Sequence, residues 1–529
     1  MDDGMLDEAA SITAAPLTRA FARARAVDVV VLVLLGFVAR YAAYRLSPNI
    51  HFPDEIYQVM EPAHRLAFGQ GYLAWEYIVG IRSWLLPGLV AGLMRLGYLF
   101  GAHPDTIRLP VLAFLLAASL TPVVCGYLWG VRFHGRPGGL LVGAILALWN
   151  DLLFIAPHPL TEAIAGDVLV VALYVASAPD ELLTRRRLSI VGLLFGLTFI
   201  LRFHLAPALF LAAVWLCRGQ VRARWLPLLA GGLVPVLLQG LLDWATLGTP
   251  FQSIWWNFWL NIVANVSASF GTDSWDLIVL LPLALWGGAT PVILGSACWA
   301  ARRAPLLLVT ALTIFVTHAV IAHKEVRFLF PALPLILVLA ALATADVVDR
   351  LRRNPAPNGL SANSISLMAL LLWIVGSIGV ASSSFWHFQW TQRADMIAAF
   401  KTITREASSC AVAFVNLDWV PSPGSSGLPL GVPIVATSPE ALSRDADGFD
   451  TLIVPSSIPV TDSRFHREAC FPRGAEWGGG ETCIWRRSGA CAPGAAHGPA
   501  IQWPPYFVDG SGALIRERTL FPWQRTAAR

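Results

Sequence analysis

Residues 51–83 read HFPDEIYQVMEPAHRLAFGQGYLAWEYIVGIRS. The stretch follows a long apolar run at 27–46, yet it carries Asp54, Glu55, Gln58, Glu61, His64, Arg65, Glu76 and Arg82. Pro53 suits the first turn of a helix, and Asp54 and Glu55 suit that helix's positive end. Continued as an α-helix, the segment puts Asp54, Gln58, Glu61 and Arg65 on one face. Pro62 is expected to kink it, and Gly69 and Gly71 to end it. Tyr72, Trp75 and Trp84 are residue types that favour a membrane interface. The stretch reads as two carboxylates held on a membrane surface at the mouth of a cavity.

The rest of the chain supplies the membrane. Its 529 residues are 56% hydrophobic and 14% charged, where soluble domains are about 25% charged. The mean hydropathy of +0.60 marks a multi-pass membrane protein. A net charge of +4 gives no reason to expect a nucleic-acid partner. Apolar runs lie near 27–46, 107–130, 138–156, 162–178, 188–201, 205–217, 225–243, 276–300, 305–322, 328–347 and 364–386. A span needs about 20 residues, so 188–201 and 205–217 are short. The run 84–100 is read as an amphipathic segment lying on the outer surface. With that choice, the basic connections Arg19–Arg25, Arg132–Arg136, Arg185–Arg187, Arg218–Arg224, Arg302–Arg303 and Arg350–Arg353 share one side, the cytoplasmic one.

The expected fold is therefore a membrane all-α bundle of about 11 transmembrane helices with outward-facing catalytic loops. Residues 1–26 form a cytoplasmic segment, and 27–386 the membrane domain, with outer loops at 47–106, 244–275 and 323–327. Residues 354–363 are a cytoplasmic linker. Beyond 386, short apolar runs alternate with Gly, Pro, Ser and Asp turns, so 387–529 is expected to be a small soluble α/β domain with an extended tail. Its cysteines, Cys410, Cys470, Cys483 and Cys491, face an oxidising side and favour disulfides, with three pairings open. Their spacing does not suit zinc. No P-loop, dinucleotide fingerprint or HExxH occurs, and no metal or cofactor is assigned.

Three clusters carry chemistry. Asp54 and Glu55 point about 100° apart on a helix, so only one can take a proton from an attacking hydroxyl. The plainer reading is acidic helix capping. His323-Lys324-Glu325-Val326-Arg327 puts four ionisable groups between two spans, on the face that the other positive charges avoid. Cations there suit a lipid-linked phosphate; the alternative is a snorkelling loop. Arg202 is either a second phosphate contact or a snorkelling residue. His158, Thr161 and Glu162 form a polar knot or a helix N-cap. Asn257, Asn261 and Asn265, with Ser269, recur every four residues. They form either an amide ladder for sugar hydroxyls or the polar face of an interfacial helix.

Three separated stretches, in order, resemble the dolichyl-phosphate-mannose-dependent mannosyltransferases that build N-glycan precursors and GPI anchors. The first is Pro53-Asp54-Glu55, Gln58, Glu61, Phe68-Gly69, Gly71-Tyr72, Trp75-Glu76 and Arg82-Ser83 followed by Pro87. The others are Asn257 to Trp275, and His323 to Phe328 followed by Pro331. The resemblance implies a GT-C glycosyltransferase, an inverting and metal-independent enzyme. Its implied donor is a polyprenyl- or dolichyl-phosphate sugar, mannose first, and its acceptor a lipid-linked or cell-envelope glycan. It implies Asp54 as base, with Glu55 or Glu61 orienting. Gln58, Trp75, Glu76, Arg82, His158, Glu162, Asn257 and Asn261 would bind substrates. Arg202, His323, Lys324 and Arg327 would hold the phosphate. The family has an arginine where this chain has His158, which opens the donor to arabinose or a uronic acid. The Ala/Gly/Arg-rich composition points to a bacterial inner membrane with a periplasmic active face, or to the endoplasmic reticulum in a eukaryote. A non-catalytic transporter or flippase would place ionisable groups mid-membrane and show repeated halves; here the groups cluster at one face.

Overall fold

The computed structural model describes residues 25–354, 361–405, 409–415, 422–474, 478–488 and 491. Nearly all of the expected 1–26 segment, most of the 354–363 linker and the tail lie outside these residues. Every predicted apolar run contains a helix. Helix α1 is Ala26–Leu46. The polar stretch that follows holds α2, Glu61–Phe68, and α3, Trp75–Val79. Next come α4 (Leu85–Tyr98), α5 (Pro104–Ala118) and α6 (Thr121–Leu148), which bends at Gly135 where φ is 70°. Helices α7 (Thr161–Ala176), α8 (Arg185–Leu201), α9 (Ala206–Cys217) and α10 (Leu226–Leu247) continue the bundle. The short α11 (Gln252–Phe258) is followed by α12 (Asp276–Trp286) and α13 (Thr290–Ala300), which Gly287 separates at φ 52°. Then come α14 (Pro305–Val320), α15 (Leu333–Arg353) and α16 (Ala362–Ala381).

Five stretches among the described residues are long and apolar enough to cross a membrane: Ala26–Leu46, Pro104–Leu148, Val221–Leu247, Asp276–Ala300 and Asn363–Ala381. Helix α15 is the centre, buried on all sides from Leu333 to Ala343. Helix α4 is amphipathic as expected: Leu86, Val90, Ala91 and Met94 are buried, while Leu89 and Leu96 face outward.

The short α8 gains its hold from closeness. Gly192 and Gly196 face Leu228, Gly232 and Pro235 of α10, Gly231 faces Ser189, and a Cβ at Gly192 would lie 1.9 Å from the Leu228 carbonyl oxygen. Small residues four apart let two backbones touch, which gives contact without a long apolar face. Ser189 adds a hydrogen bond to the Pro227 carbonyl at 3.1 Å.

The basic connections meet at one end of the bundle. Arg136 pairs with Asp28 at 2.8 Å, and Arg302, Arg303 and Arg350 all bond Asp346. Arg218 and Arg224 bond Asp180. The polar stretch 51–83, the end of α8 and the 323–327 loop meet at the other end.

After α17 (Ser384–Thr391) and α18 (Ala394–Arg405), a five-stranded sheet forms. Its strands are β1 (Val412–Val415), β2 (Ile434–Thr437), β3 (Thr451–Pro455), β4 (Phe465–Pro472) and β5 (Glu481–Arg487), in the order β2-β1-β3-β5-β4. The first three are parallel, and β5 runs antiparallel to β3 and β4. Met396, Ala399, Phe400 and Ile403 of α18 pack on Val412, Phe414, Ile453 and Ile484. Disulfides join Cys410 to Cys491 and Cys470 to Cys483, one of the three open pairings. Cys125 and Cys217 are buried.

Close packing at α8 and α10 makes a direct prediction. Gly192→Leu should destabilise the protein by about 1–3 kcal/mol or more through overpacking. Gly295→Ala, with nothing within 4 Å of the new Cβ, should be neutral. Thermal unfolding in detergent measures both.

Candidate active site

The segment that carries Asp54 begins as a helix at Pro53, but Glu55–Met60 is wound as a π-helix before α2 starts at Glu61. Pro62 supplies the reason. It has no N–H for the Gln58 carbonyl, and the Tyr77 hydroxyl donates to that oxygen instead, at 2.5 Å. The wider turn breaks the expected common face. Asp54 and Gln58 still point one way, into a cleft. Glu61 points elsewhere, and Arg65 lies exposed with its guanidinium on the Gly71 carbonyl at 3.1 Å.

The cleft and its solvent-open mouth together span about 710 Å³. Among the predicted site residues, Asp54, Gln58, Arg82, Glu162, Arg202 and Asn257 line it. Behind Asp54 stands Arg327, whose guanidinium pairs with the Asp54 and Glu325 carboxylates and lies 3.5 Å from Glu162. Arg202 completes the chain with a 2.8 Å contact to Glu162. Arg327 is 6% exposed and Glu162 2%, while Glu325 is 19% and Asp54 23% exposed. Burial raises the Asp54 carboxyl above its ordinary pKa, and Arg327 only partly offsets that. Among the described residues, the Arg82 Nε has no hydrogen-bond partner. Its guanidinium lies 4.0 Å from Glu76. Asn257 donates to the Ile81 carbonyl at 3.1 Å and accepts from Asn261 at 2.7 Å. The expected amide ladder stops there: Trp259–Val263 is π-wound, and Asn265 turns out with φ 52°.

Other expected site residues do not reach the cleft. The Glu55 carboxylate accepts the Phe52 N–H at 2.9 Å and meets His158 Nδ1 at 2.8 Å, so it caps its own helix on the far side. His158 is thereby a partner of Glu55. Glu61 accepts the Tyr72 N–H at 2.6 Å and the Ser425 hydroxyl at 2.9 Å. Glu76 is buried and takes a 2.9 Å bond from Gln58, a positioning contact. Trp75 packs with Ile81, Trp256, Leu260 and Val266. The Lys324 ammonium bonds the Asp273 carbonyl at 2.8 Å and the Ile321 carbonyl, which leaves it a loop brace. His323 holds the Gly271 carbonyl at 2.9 Å and Glu325 at 2.7 Å. Of the expected phosphate cations, then, Arg202 lines the cleft, Arg327 stands behind Asp54, and His323 and Lys324 brace the loop.

The model of the Alg9-like mannosyltransferase family matches residues 31–415. The chain belongs to that family. Among its relatives are GPI mannosyltransferase 3 of Yarrowia lipolytica, 29% identical over 342 residues, and of Drosophila melanogaster, 26% identical over 329. GPI alpha-1,2-mannosyltransferase 3 of Homo sapiens is 25% identical over 324 residues. These matches cover 61%, 58% and 58% of this chain, and 64%, 54% and 56% of the relatives, less than two thirds of each relative's length. The fold is similar to that of ArnT from Cupriavidus metallidurans bound to undecaprenyl phosphate, with a TM-score of 0.56 at 12% identity. That likeness covers 89% of this chain and 100% of ArnT.

In this family member, two roles went unassigned in the reading of the sequence. Glu325 is the second anchor of Arg327. Gln239 and Asp243 of α10 join Ser83 and Ser253 across the cleft wall, with bonds of 3.0 Å from Ser83, 2.6 Å between Gln239 and Asp243, and 2.7 Å from Ser253. An amide and a carboxylate four apart in an apolar run were the available signal, because buried polar groups demand partners.

The two ring nitrogens of His323 face a carbonyl and a carboxylate, an arrangement that favours the doubly protonated ring. The Glu325 bond raises its pKa above 6.5. Its contribution to stability is full below the ordinary value and is lost as pH rises through the raised one. The expected result is that the stability difference between wild type and His323→Gln shrinks across that interval. Thermal unfolding of both proteins between pH 6 and 9 measures it.

Proposed function

We propose that the protein is an integral-membrane inverting glycosyltransferase that moves mannose from a polyprenyl-phosphate carrier to a hydroxyl of a lipid-linked glycan. The carrying observation is a cleft lined by Asp54, Arg82 and Arg202, with Arg327 paired to Asp54 from behind. A base and several cations at one opening suit a reaction that removes a proton on one side of a sugar and releases a phosphate on the other.

In this reading Asp54 takes the proton of the acceptor hydroxyl. That oxygen attacks the anomeric carbon, and the bond from that carbon to the phosphate oxygen breaks. The lipid phosphate leaves with the electron pair, stabilised by Arg82, Arg202 and Arg327. Inversion follows from attack opposite the leaving group. In the free protein Arg327 is paired with the base itself. The donor phosphate competes for that guanidinium and releases the Asp54 carboxylate toward the acceptor. Gln58 and Asn257 offer amides to sugar hydroxyls. His158 binds Glu55 outside the cleft, so its departure from the family's arginine gives no reason to replace mannose.

The bundle keeps both lipid tails in the bilayer while the phosphate stays at its surface. About eleven spans fit the helices. The basic end lies in the cytoplasm, and the cleft opens to the opposite side. For a bacterial inner membrane, that side is the periplasm. The soluble domain lies on the same side, which suits its disulfides.

The test is transfer from radiolabelled polyprenyl-phosphate-mannose in membranes. Asp54→Asn should lower transfer by about 100-fold or more at equal protein level, the usual scale for a lost general base. Equal transfer by both proteins would remove Asp54 from the mechanism. Transfer from a polyprenyl-phosphate pentose but not from the mannose donor would move the donor assignment.

A further inference from the structure

The soluble domain meets the catalytic segment around a buried carboxylate. Glu61 is 2% exposed. Its Oε1 accepts the Ser425 N–H at 2.5 Å, and its Oε2 accepts the Ser425 hydroxyl at 2.9 Å and the Tyr72 N–H at 2.6 Å. Three donors from two distant parts of the chain converge on one group. Gly424 makes room for them. Its φ is +64°, and a Cβ there would lie 2.2 Å from the Glu61 Oε1. A second bond joins the Gly431 N–H to the Gln70 Oε1 at 2.9 Å. Beside these, Ile397 and Leu430 pack against the apolar cluster under α2 and α4. The Ile50 N–H donates to the Gln392 carbonyl at 3.1 Å, just before the polar stretch begins.

Glu61 is also the first residue after the π-helical turn that starts beside Asp54. A π-helix is a poorly favoured winding and persists where surrounding contacts over-determine it. Tyr77 holds the turn at the Gln58 carbonyl, and Glu61 fixes its far end.

We propose that the loop Ser422–Gly431 of the soluble domain is a positioning element: by gripping Glu61, it holds the π-helical turn in register and sets Asp54 at the cleft. Glu61, Gly424 and Ser425 are positioning residues that touch no substrate. The role of the loop in turnover rests on the transferase reading above; the grip itself does not. Misplacing a reacting group by about 1 Å costs about 100-fold in rate. The loop is therefore a lever on turnover located far from the sugar.

The experiment uses the purified full-length protein in nanodiscs. Hydrogen exchange is followed in wild type, Gly424→Ala, Ser425→Ala and Glu61→Gln. Faster exchange across 51–72 with unchanged exchange in β1–β5 and in the bundle is expected. Unchanged exchange in 51–72 overturns the proposal. A rise throughout β1–β5 also overturns it, because the contact then serves only the folding of the domain. In the transfer assay, Gly424→Ala should lower kcat about tenfold or more and leave donor and acceptor KM unchanged. Glu61→Gln combined with Gly424→Ala should be no worse than either alone, as expected for one shared contact. A raised acceptor KM in Glu61→Gln, absent in Gly424→Ala, overturns the proposal by making Glu61 a binding residue. Failure of wild type to use the mannose donor bears on the donor assignment alone, since the exchange result is read without any substrate.

Discussion

A guanidinium that is almost fully out of water must be paired. Arg327 is 6% exposed, and an unmatched charge in that position costs several kcal/mol. It meets this demand with three carboxylates: Asp54 from the polar stretch after α1, Glu162 from the start of α7 and Glu325 from its own loop. Arg202 then compensates the extra negative charge at Glu162. Four segments far apart in sequence are thus tied at one point. The cleft is the space left in front of this knot; of the three carboxylates Asp54 and Glu162 line it, and Asp54 is the more exposed of those two.

The knot needs a rigid frame, because its partners sit on separate helices. Helix α15 supplies the centre by burying its whole circumference from Leu333 to Ala343. Helix α8, too short for a generous apolar face, is held by glycine contact with α10 and delivers Arg202 from its C-terminal end. On α10 the same helix pair places Gln239 and Asp243, which fix Ser83 and Ser253 in the cleft wall. Packing in the bundle and geometry in the cleft are therefore one problem. An error in the crossing of α8 and α10 moves a cation and a wall together.

Much of this was legible in the sequence. The eleven apolar runs each contain a helix, and five stretches among the described residues are long and apolar enough to cross a membrane, because a chain in lipid must satisfy its backbone polar groups internally. The clustering of basic connections at one end was legible too, since charge follows a rule that depends only on order along the chain. So were the family and the residues Asp54, Gln58, Arg82, Glu162, Arg202 and Asn257, whose polarity stands out at the edges of apolar runs.

What the sequence by itself determined is the list of segments, their apolar faces and the polar residues at their ends. Only the tertiary structure decided which of those polar residues share a cleft. A one-residue change in helix winding at Glu55–Met60 turned Glu61 from Asp54 toward Ser425, a partner more than 360 positions away. A carbonyl within reach turned Lys324 into a brace, and His158 found Glu55. Residue type fixes what a side chain is able to bond. Direction depends on local winding and on neighbours brought in by distant sequence, and no pattern read along the chain contains them.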